Sequence, residues 1–192
     1  MRVVAGKHRG RTLIAPKGKG LRPTAGVARE GLFNILIHGR PARAGAPPLA
    51  GARILEAFAG TGAFAFEAIS RGARSAVLID TDRTALDAAK ANAEALGEAD
   101  NVTLIEADAT RPPSAAAGEA AAIAFLDPPY GGGLAAQALG ALATMGWLAP
   151  AALCIVEVAA REPFTPPEGF ESIEERRFGA ARLIFLEYIT KI

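Results

Sequence analysis

The sequence predicts an α/β protein: a mostly parallel seven-stranded sheet closed by an antiparallel C-terminal hairpin. Three observations carry that reading. Strand-like and helix-like segments alternate between residues 53 and 158, the pattern of repeated βαβ units. A glycine turn, Gly60-Thr61-Gly62, separates the first of these strands from its helix, as in Rossmann-like sheets. Two further strand-like runs, 170–178 and 181–189, flank Gly179 and read as a hairpin.

Taken in order, the elements begin with Arg2-Val3-Val4-Ala5 and Arg11-Thr12-Leu13-Ile14, two short β-prone stretches around a Gly-rich turn that predict a small hairpin. Pro23-Thr24 offers a helix start with Thr24 as N-cap, and Val27, Leu32, Phe33, Leu36 and Ile37 form an apolar face up to Gly39. A Pro/Ala/Gly-rich run over 40–51 reads as connection. Strands are predicted over 53–58, 75–80, 102–107, 120–126 and 152–158, with helices over 63–71, 82–96 and 134–145. Asp82 can cap the second of these helices and Gly97 can end it. The Pro/Ala-rich stretch 111–122 reads as a surface loop. The resulting division is a basic N-terminal extension of hairpin plus helix over 1–43, a linker over 44–52 and the sheet domain over 53–192.

Composition narrows the function classes. A chain of 192 residues is of single-domain length. Charged residues at 21% exclude a disordered or collagen-like chain. Hydrophobic residues reach 51%, although 44 of them are alanines that bury little area each. One cysteine, Cys154, and two histidines, His8 and His38, leave no disulfide and no cysteine-rich metal site, so no metal is expected. No run of about 18 apolar residues exists, and the opening Met1-Arg2-Val3-Val4 lacks a signal peptide's apolar stretch. A cytoplasmic protein without membrane partner, acting as a monomer, is expected.

The charge is unevenly spread. Residues 1–43 hold ten Lys or Arg and one acid, Glu30, a net of +9. Residues 44–192 hold eleven bases and nineteen acids, a net of −8. A basic arm on an acidic body points to a polyanionic partner. The bases interleave with glycine, as in Gly6-Lys7-His8-Arg9-Gly10-Arg11, rather than lining one face of an apolar helix. That suits phosphate contact from loop backbone better than a membrane surface. A solvated basic surface with no partner is the other reading.

Two turns carry chemistry. In Glu56-Ala57-Phe58-Ala59-Gly60-Thr61-Gly62 the glycines allow close backbone approach to a ligand, but the dinucleotide fingerprint is only partly matched. An acid beside the glycines suits a cationic ligand, such as the sulfonium and ammonium of S-adenosylmethionine. Asp80 ends the second strand, where a carboxylate can accept ribose hydroxyls, and Asp108 follows the third, where it can accept from an adenine amine. Tight-turn glycines with surface acids remain the plainer alternative. The second turn, Asp127-Pro128-Pro129-Tyr130, follows the apolar strand Ile123-Ala124-Phe125-Leu126. Its prolines force the chain out at the carboxyl edge of the sheet. The Asp127 carboxylate and Pro128 carbonyl can accept from an exocyclic amine and stabilise charge growing on its nitrogen. Tyr130 can stack on the base.

These motifs together resemble the class I S-adenosylmethionine-dependent methyltransferases that modify exocyclic amines. The segments Gly6–Arg11, Gly20-Leu21-Arg22-Pro23-Thr24, Arg29-Glu30-Gly31-Leu32-Phe33-Asn34, Phe58–Ala63 and Glu67-Ala68-Ile69-Ser70-Arg71-Gly72 resemble the bacterial RsmD family. The resemblance implies methylation of the N2 amine of one guanine in 16S ribosomal RNA, expected at position 966, as naked RNA or within an assembling small subunit. It implies S-adenosylmethionine held by Glu56, Phe58, Gly60, Gly62, Asp80, Asp108 and Ala109. It implies the amine held by Asp127, Pro128, Pro129 and Tyr130, and RNA contacted by Lys7, Arg9, Arg11, Arg22, Thr24 and Arg29. The chain departs from the family at Ala25-Gly26-Val27-Ala28, where a polar, Arg-containing segment is usual.

Other chemistries fit less well. Methylation at a pyrimidine C5 needs a cysteine nucleophile, and Cys154 lies in the apolar run 151–158. His8 is read as a phosphate contact or exposed side chain, His38 as a helix-end charge and Trp147 as packing. An adenine-N6 methyltransferase shares the Asp-Pro-Pro-Tyr chemistry but would usually carry a larger sequence-reading domain. A non-catalytic RNA-binding assembly factor would leave both turns unexplained. A nucleotide-dependent oxidoreductase conflicts with the broken glycine fingerprint.

Overall fold

A computed structural model describes residues 1–15, 25–43 and 45–189. Seven strands form one sheet: β1 (Arg53–Ala57), β2 (Ser75–Asp80), β3 (Val102–Glu106), β4 (Ala121–Leu126), β5 (Leu148–Ala159), β6 (Phe170–Phe178) and β7 (Ala181–Tyr188). Their order is β3-β2-β1-β4-β5-β7-β6. Strands β1 to β5 run parallel, and β7 pairs antiparallel with both β5 and β6. The sequence direction reverses between β1 and β4, the switch point at which open α/β sheets bind ligands. The α/β class, parallel body and terminal hairpin are as the sequence predicts.

Among the described residues, five α-helices accompany the sheet: α1 (Ala25–His38), α2 (Arg40–Arg43), α3 (Ala63–Ser70), α4 (Arg83–Leu96) and α5 (Leu134–Thr144). Their apolar residues divide the core in two. Phe33, Phe64, Phe66 and Ala89 pack with Ile54, Leu78 and Phe125 on one face of the sheet. Ala138, Leu139, Leu142 and Trp147 pack with Leu55, Val77 and Leu126 on the other. A sheet covered on both faces explains why the central strands are continuous apolar runs rather than alternating ones. At the open edge, β6 carries Glu171, Glu175, Arg176 and Arg177 as exposed residues, charges that discourage further strand pairing.

Most boundaries fall within a residue or two of prediction. Asp82 caps α4 by accepting from Thr84 and Ala85 amides, and Gly97 ends it in the left-handed region. The expected Thr24 cap and Arg22 lie outside the described residues. Residues 40–43, expected as connection, form the short α2. The N-terminal hairpin is reduced to one antiparallel bridge, Arg2 with Thr12, around the turn at 5–10.

That short loop is held by side chains of the body. Glu67, 1% exposed in α3, accepts from the Val4 amide at 2.7 Å and the Ala5 amide at 3.0 Å. The Lys7 amide donates to the Ser70 carbonyl, and the His8 amide to the Ser70 hydroxyl. Gly6, at φ +83°, passes so close that a Cβ would sit 1.8 Å from the Ser70 carbonyl oxygen. His8, expected at an exposed or phosphate-contacting position, instead lies 2.5 Å from the carboxylate of buried Glu98. The contact draws the imidazole inward. Val3 and Leu13 complete the anchor by joining the apolar core.

Glu67 also receives the Arg71 guanidinium at 2.7 Å, so its loss strands several donors at once. Glu67→Ala is expected to lower stability by about 2–4 kcal/mol, because buried donors left without an acceptor cost about 1–3 kcal/mol each. Urea unfolding measures the loss, and limited proteolysis should show earlier cleavage before residue 15.

Candidate active site

The site lies at the carboxyl ends of β1, β2, β3 and β4. A cleft of about 250 Å³ opens there, lined by Phe58, Asp80, Asp108, Ala109 and Pro129 among others. All five were singled out from sequence. Ile79, Thr81, Ala107 and Leu134 also line it, and no motif signalled them. Leu134 opens α5 directly after Gly131-Gly132-Gly133, all three at positive φ, and that triple glycine, which marks a turn, is the available signal.

Phe58 adopts φ +56°, a conformation that costs a bulky residue on the order of 1–3 kcal/mol. The conformation turns its ring into the cleft wall. Two residues on, the Gly60 amide donates to Asp80 Oδ2 at 2.7 Å. The Asp82 amide donates to Asp80 Oδ1 at 2.8 Å. Asp80 therefore fixes the glycine turn while facing the cleft. Gly62, at φ +76°, is the N-cap of α3, and a Cβ there would meet Leu78 at 2.5 Å. Gly60 and Gly62 shape the turn without lining the cleft themselves.

Glu56, which sequence assigns to the cofactor, is 4% exposed and points beneath α3. Its carboxylate accepts from the Ala65 amide at 2.8 Å and the Phe64 amide at 3.2 Å. Those donors belong to the first turn of α3, where backbone amides lack helical acceptors. In this position Glu56 holds the start of α3. Burial pushes its carboxyl up to about 8, against the opposing pull of the Ala65 and Phe64 amides.

The other acids stay near solvent. Asp108 is exposed and accepts from both the Thr110 amide and hydroxyl, which hold its carboxyl below the usual range. Asp127 follows β4, is exposed, and donates its amide to the Ala57 carbonyl at 3.4 Å. Tyr130 is 37% exposed and donates its hydroxyl to Glu157 at 3.3 Å. The Gly131 amide donates to Glu162 at 3.2 Å. Glu157 and Glu162, both from the β5 end, were missed by motif reasoning. The available signal was a single charge, Glu157, inside the apolar run 151–158.

The arm residues divide. Lys7, Arg9 and Arg11 are exposed. Lys7 pairs with Glu98 at 2.6 Å, and Arg11 donates to the Ala95 carbonyl at 2.6 Å. Arg29, expected to contact RNA, is 8% exposed and donates to the Arg2 carbonyl and the Met1 sulfur. A guanidinium spent on the protein interior is not presented to a phosphate. Cys154 is buried, and burial pushes its thiol up, away from nucleophilic use. Trp147 is buried and donates to the Pro113 carbonyl, as packing requires. Among the described residues, no helix is long and apolar enough to cross a membrane.

The sheet order, the glycine turn at the end of β1 and the Asp-Pro-Pro-Tyr turn at the end of β4 define a class I methyltransferase fold. Residues 1–187 match the family described as Conserved hypothetical protein 95. The ribosomal RNA small subunit methyltransferase D of Haemophilus influenzae is 32% identical over 183 residues, covering 93% of this chain and 89% of that protein. The protein of the same name from Escherichia coli K12 is 38% identical over 157 residues, covering 82% and 74%. The solved structure of Escherichia coli yhhF superposes with a TM-score of 0.82 at 32% identity, covering 100% and 99% of the two chains. The chain belongs to the Conserved hypothetical protein 95 family, the RsmD family.

The raised Glu56 carboxyl makes stability depend on pH. Between its ordinary value and about 8, the folded chain keeps a proton that the unfolded chain releases. The stability it contributes is therefore present at low pH and lost as pH rises through about 8. Glu56→Gln should remove this dependence while weakening the cap at every pH. Urea unfolding at pH 5 and pH 8 should show the wild type losing several kcal/mol more than the variant.

Proposed function

We propose that this protein transfers a methyl group from S-adenosylmethionine to the exocyclic N2 amine of a guanine in 16S ribosomal RNA, expected at position 966. The observation that carries the reading is the Asp127-Pro128-Pro129-Tyr130 turn beside the cleft, with Pro129 forming part of the cleft wall. The relatives named ribosomal RNA small subunit methyltransferase D support the RNA class.

The cleft suits S-adenosylmethionine. Its walls are largely apolar, from Phe58, Ile79, Ala109 and Leu134, and its charged groups are both acids, Asp80 and Asp108. Acids suit a cationic nucleoside and repel a pyrophosphate. Asp80 would accept the ribose hydroxyls with lone pairs left over from its two backbone contacts. Asp108 would accept from the adenine amine. When bound, S-adenosylmethionine supplies an electrophilic methyl group on a sulfonium. Asp127 and the Pro128 carbonyl accept the two N–H groups of the target amine, aim its lone pair at that methyl and stabilise the charge gained by nitrogen. Tyr130 covers the base. Proximity and alignment supply much of the rate. A duplex hides the amine, so the base leaves its stack to enter.

Asp127→Ala should lower the methyl-transfer rate by about 10²–10³ with unchanged melting. The substrate is small ribosomal subunits from a strain lacking the gene, with the product read by nucleoside mass spectrometry. Near-wild-type turnover would remove Asp127 from the role, and N6-methyladenosine in place of N2-methylguanosine would overturn the choice of base.

The exposed bases of the N-terminal loop supply RNA affinity in this reading. Arg9→Ala is the clean test, since Lys7 and Arg11 also hold protein contacts. It should flatten the log–log salt dependence of RNA binding by about 0.7–0.9. An unchanged slope would make Arg9 a solvated surface residue.

A further inference from the structure

We propose that Glu157 selects guanine against adenine in this site, an assignment that rests on the methyl-transfer reading above. Strands β4 and β5 pair in parallel with Leu126 opposite Val156. Asp127 and Glu157 are the next residues along, on neighbouring strand paths about 4.8 Å apart. The Tyr130 hydroxyl donates to Glu157 Oε1 at 3.3 Å, which brings this second carboxylate against the Asp-Pro-Pro-Tyr turn. Glu157 is half-buried at the end of a strand that is otherwise apolar from Ala151 to Val158.

The turn alone does not specify a base. An acceptor pair such as Asp127 and the Pro128 carbonyl takes the two hydrogens of any exocyclic amine. Guanine differs in the atom next to that amine: its N1 carries a hydrogen, so its Watson–Crick edge offers three adjacent N–H hydrogens. Adenine presents a lone pair at N1 beside its amine. A carboxylate beyond Asp127 completes the acceptors for guanine and sets lone pair against lone pair for adenine. Sites built to accept a particular N–H reject analogues that lack it by large factors, because the buried acceptor is left unpaired. Glu157 is the carboxylate that touches the turn from the adjacent strand.

The test uses 2-aminopurine, which keeps the 2-amine but has a lone pair at N1. Small ribosomal subunits are reconstituted with 16S RNA carrying guanine, 2-aminopurine or adenine, by ligation of a synthetic segment, at the position the wild-type enzyme methylates. The wild type should favour guanine over 2-aminopurine by about 10²-fold or more in kcat/KM. Glu157→Gln, whose amide can donate to N1, should narrow that gap to less than about tenfold. Tyr130→Phe removes the hydroxyl contact but should leave the gap intact. An equal loss on both bases in Glu157→Gln, with the gap unchanged, would reduce Glu157 to a support for Tyr130 and overturn the assignment. The wild-type comparison needs no variant to fold: equal rates on guanine and 2-aminopurine overturn it by themselves. Methyl transfer to adenine, or none to any guanine of 16S RNA, overturns the parent reading and this assignment with it, a result distinct from an unchanged gap.

Discussion

A buried carboxylate beneath the amino end of α3 organises the functional edge of the sheet. The first amides of a helix have no acceptor within it, and in a dry core each would cost about 1–3 kcal/mol. Glu56 satisfies two of them, Phe64 and Ala65. The helix start is thereby pinned to the strand that Glu56 itself belongs to. Only residues 58–62 are left to join them, and three of these five, Phe58, Gly60 and Gly62, take positive φ. Glycine adopts that conformation easily; phenylalanine does not. With both ends of the turn fixed, the strain at Phe58 is sustained, and its ring becomes cleft wall.

The other half of α3 performs the corresponding task for the N-terminal segment. Glu67 and Ser70 receive the backbone of residues 4–8, and Glu98 receives Lys7 and His8. The segment's position is therefore set by the body's acids. This changes what its charge means. Some of its cations are turned inward, Arg29 most of all, while Arg9 stays on the surface. A net charge counted along the chain overstates the field offered to a polyanion, because buried and paired cations contribute little to it.

Periodicity exposed the fold because the central strands are continuous apolar runs and the helices carry their own stops. Asp82 and Gly97 bracket α4 as their chemistry dictates. The departures have local causes. Pro150 has no amide to give a ladder, so the pattern reads a strand only from 152, yet β5 begins at Leu148 next to a register shift between Ala121 and Ile123. The motif Arg29–Asn34 also hid its reasons. Gly31 leaves room for the Phe178 ring of β6, and Phe33 stacks on Phe64 at 5.0 Å. Both are tertiary facts, as is the burial that separates Glu56 from the acids of the cleft. A sequence shows that an acid is present; how many backbone donors reach it depends on packing.

That count of donors orders the carboxylates of the sheet edge. Glu56 is enclosed by two helix amides. Asp80 accepts the amide of Asp82, two residues on, and Asp108 accepts the amide of Thr110, two residues on. Both make the local turn by which aspartate commonly closes on its own backbone. Asp127 is barred from this closure by its own sequence. The residues one and two positions on are Pro128 and Pro129, and neither has an N–H to donate. Neither of these two positions can therefore close a local turn on the Asp127 carboxylate. Beside the cleft, neither proline can supply the amide that Asp80 and Asp108 each accept from two residues on. Donor-free residues directly after an aspartate are what a site needs if its substrate is to bring the N–H groups.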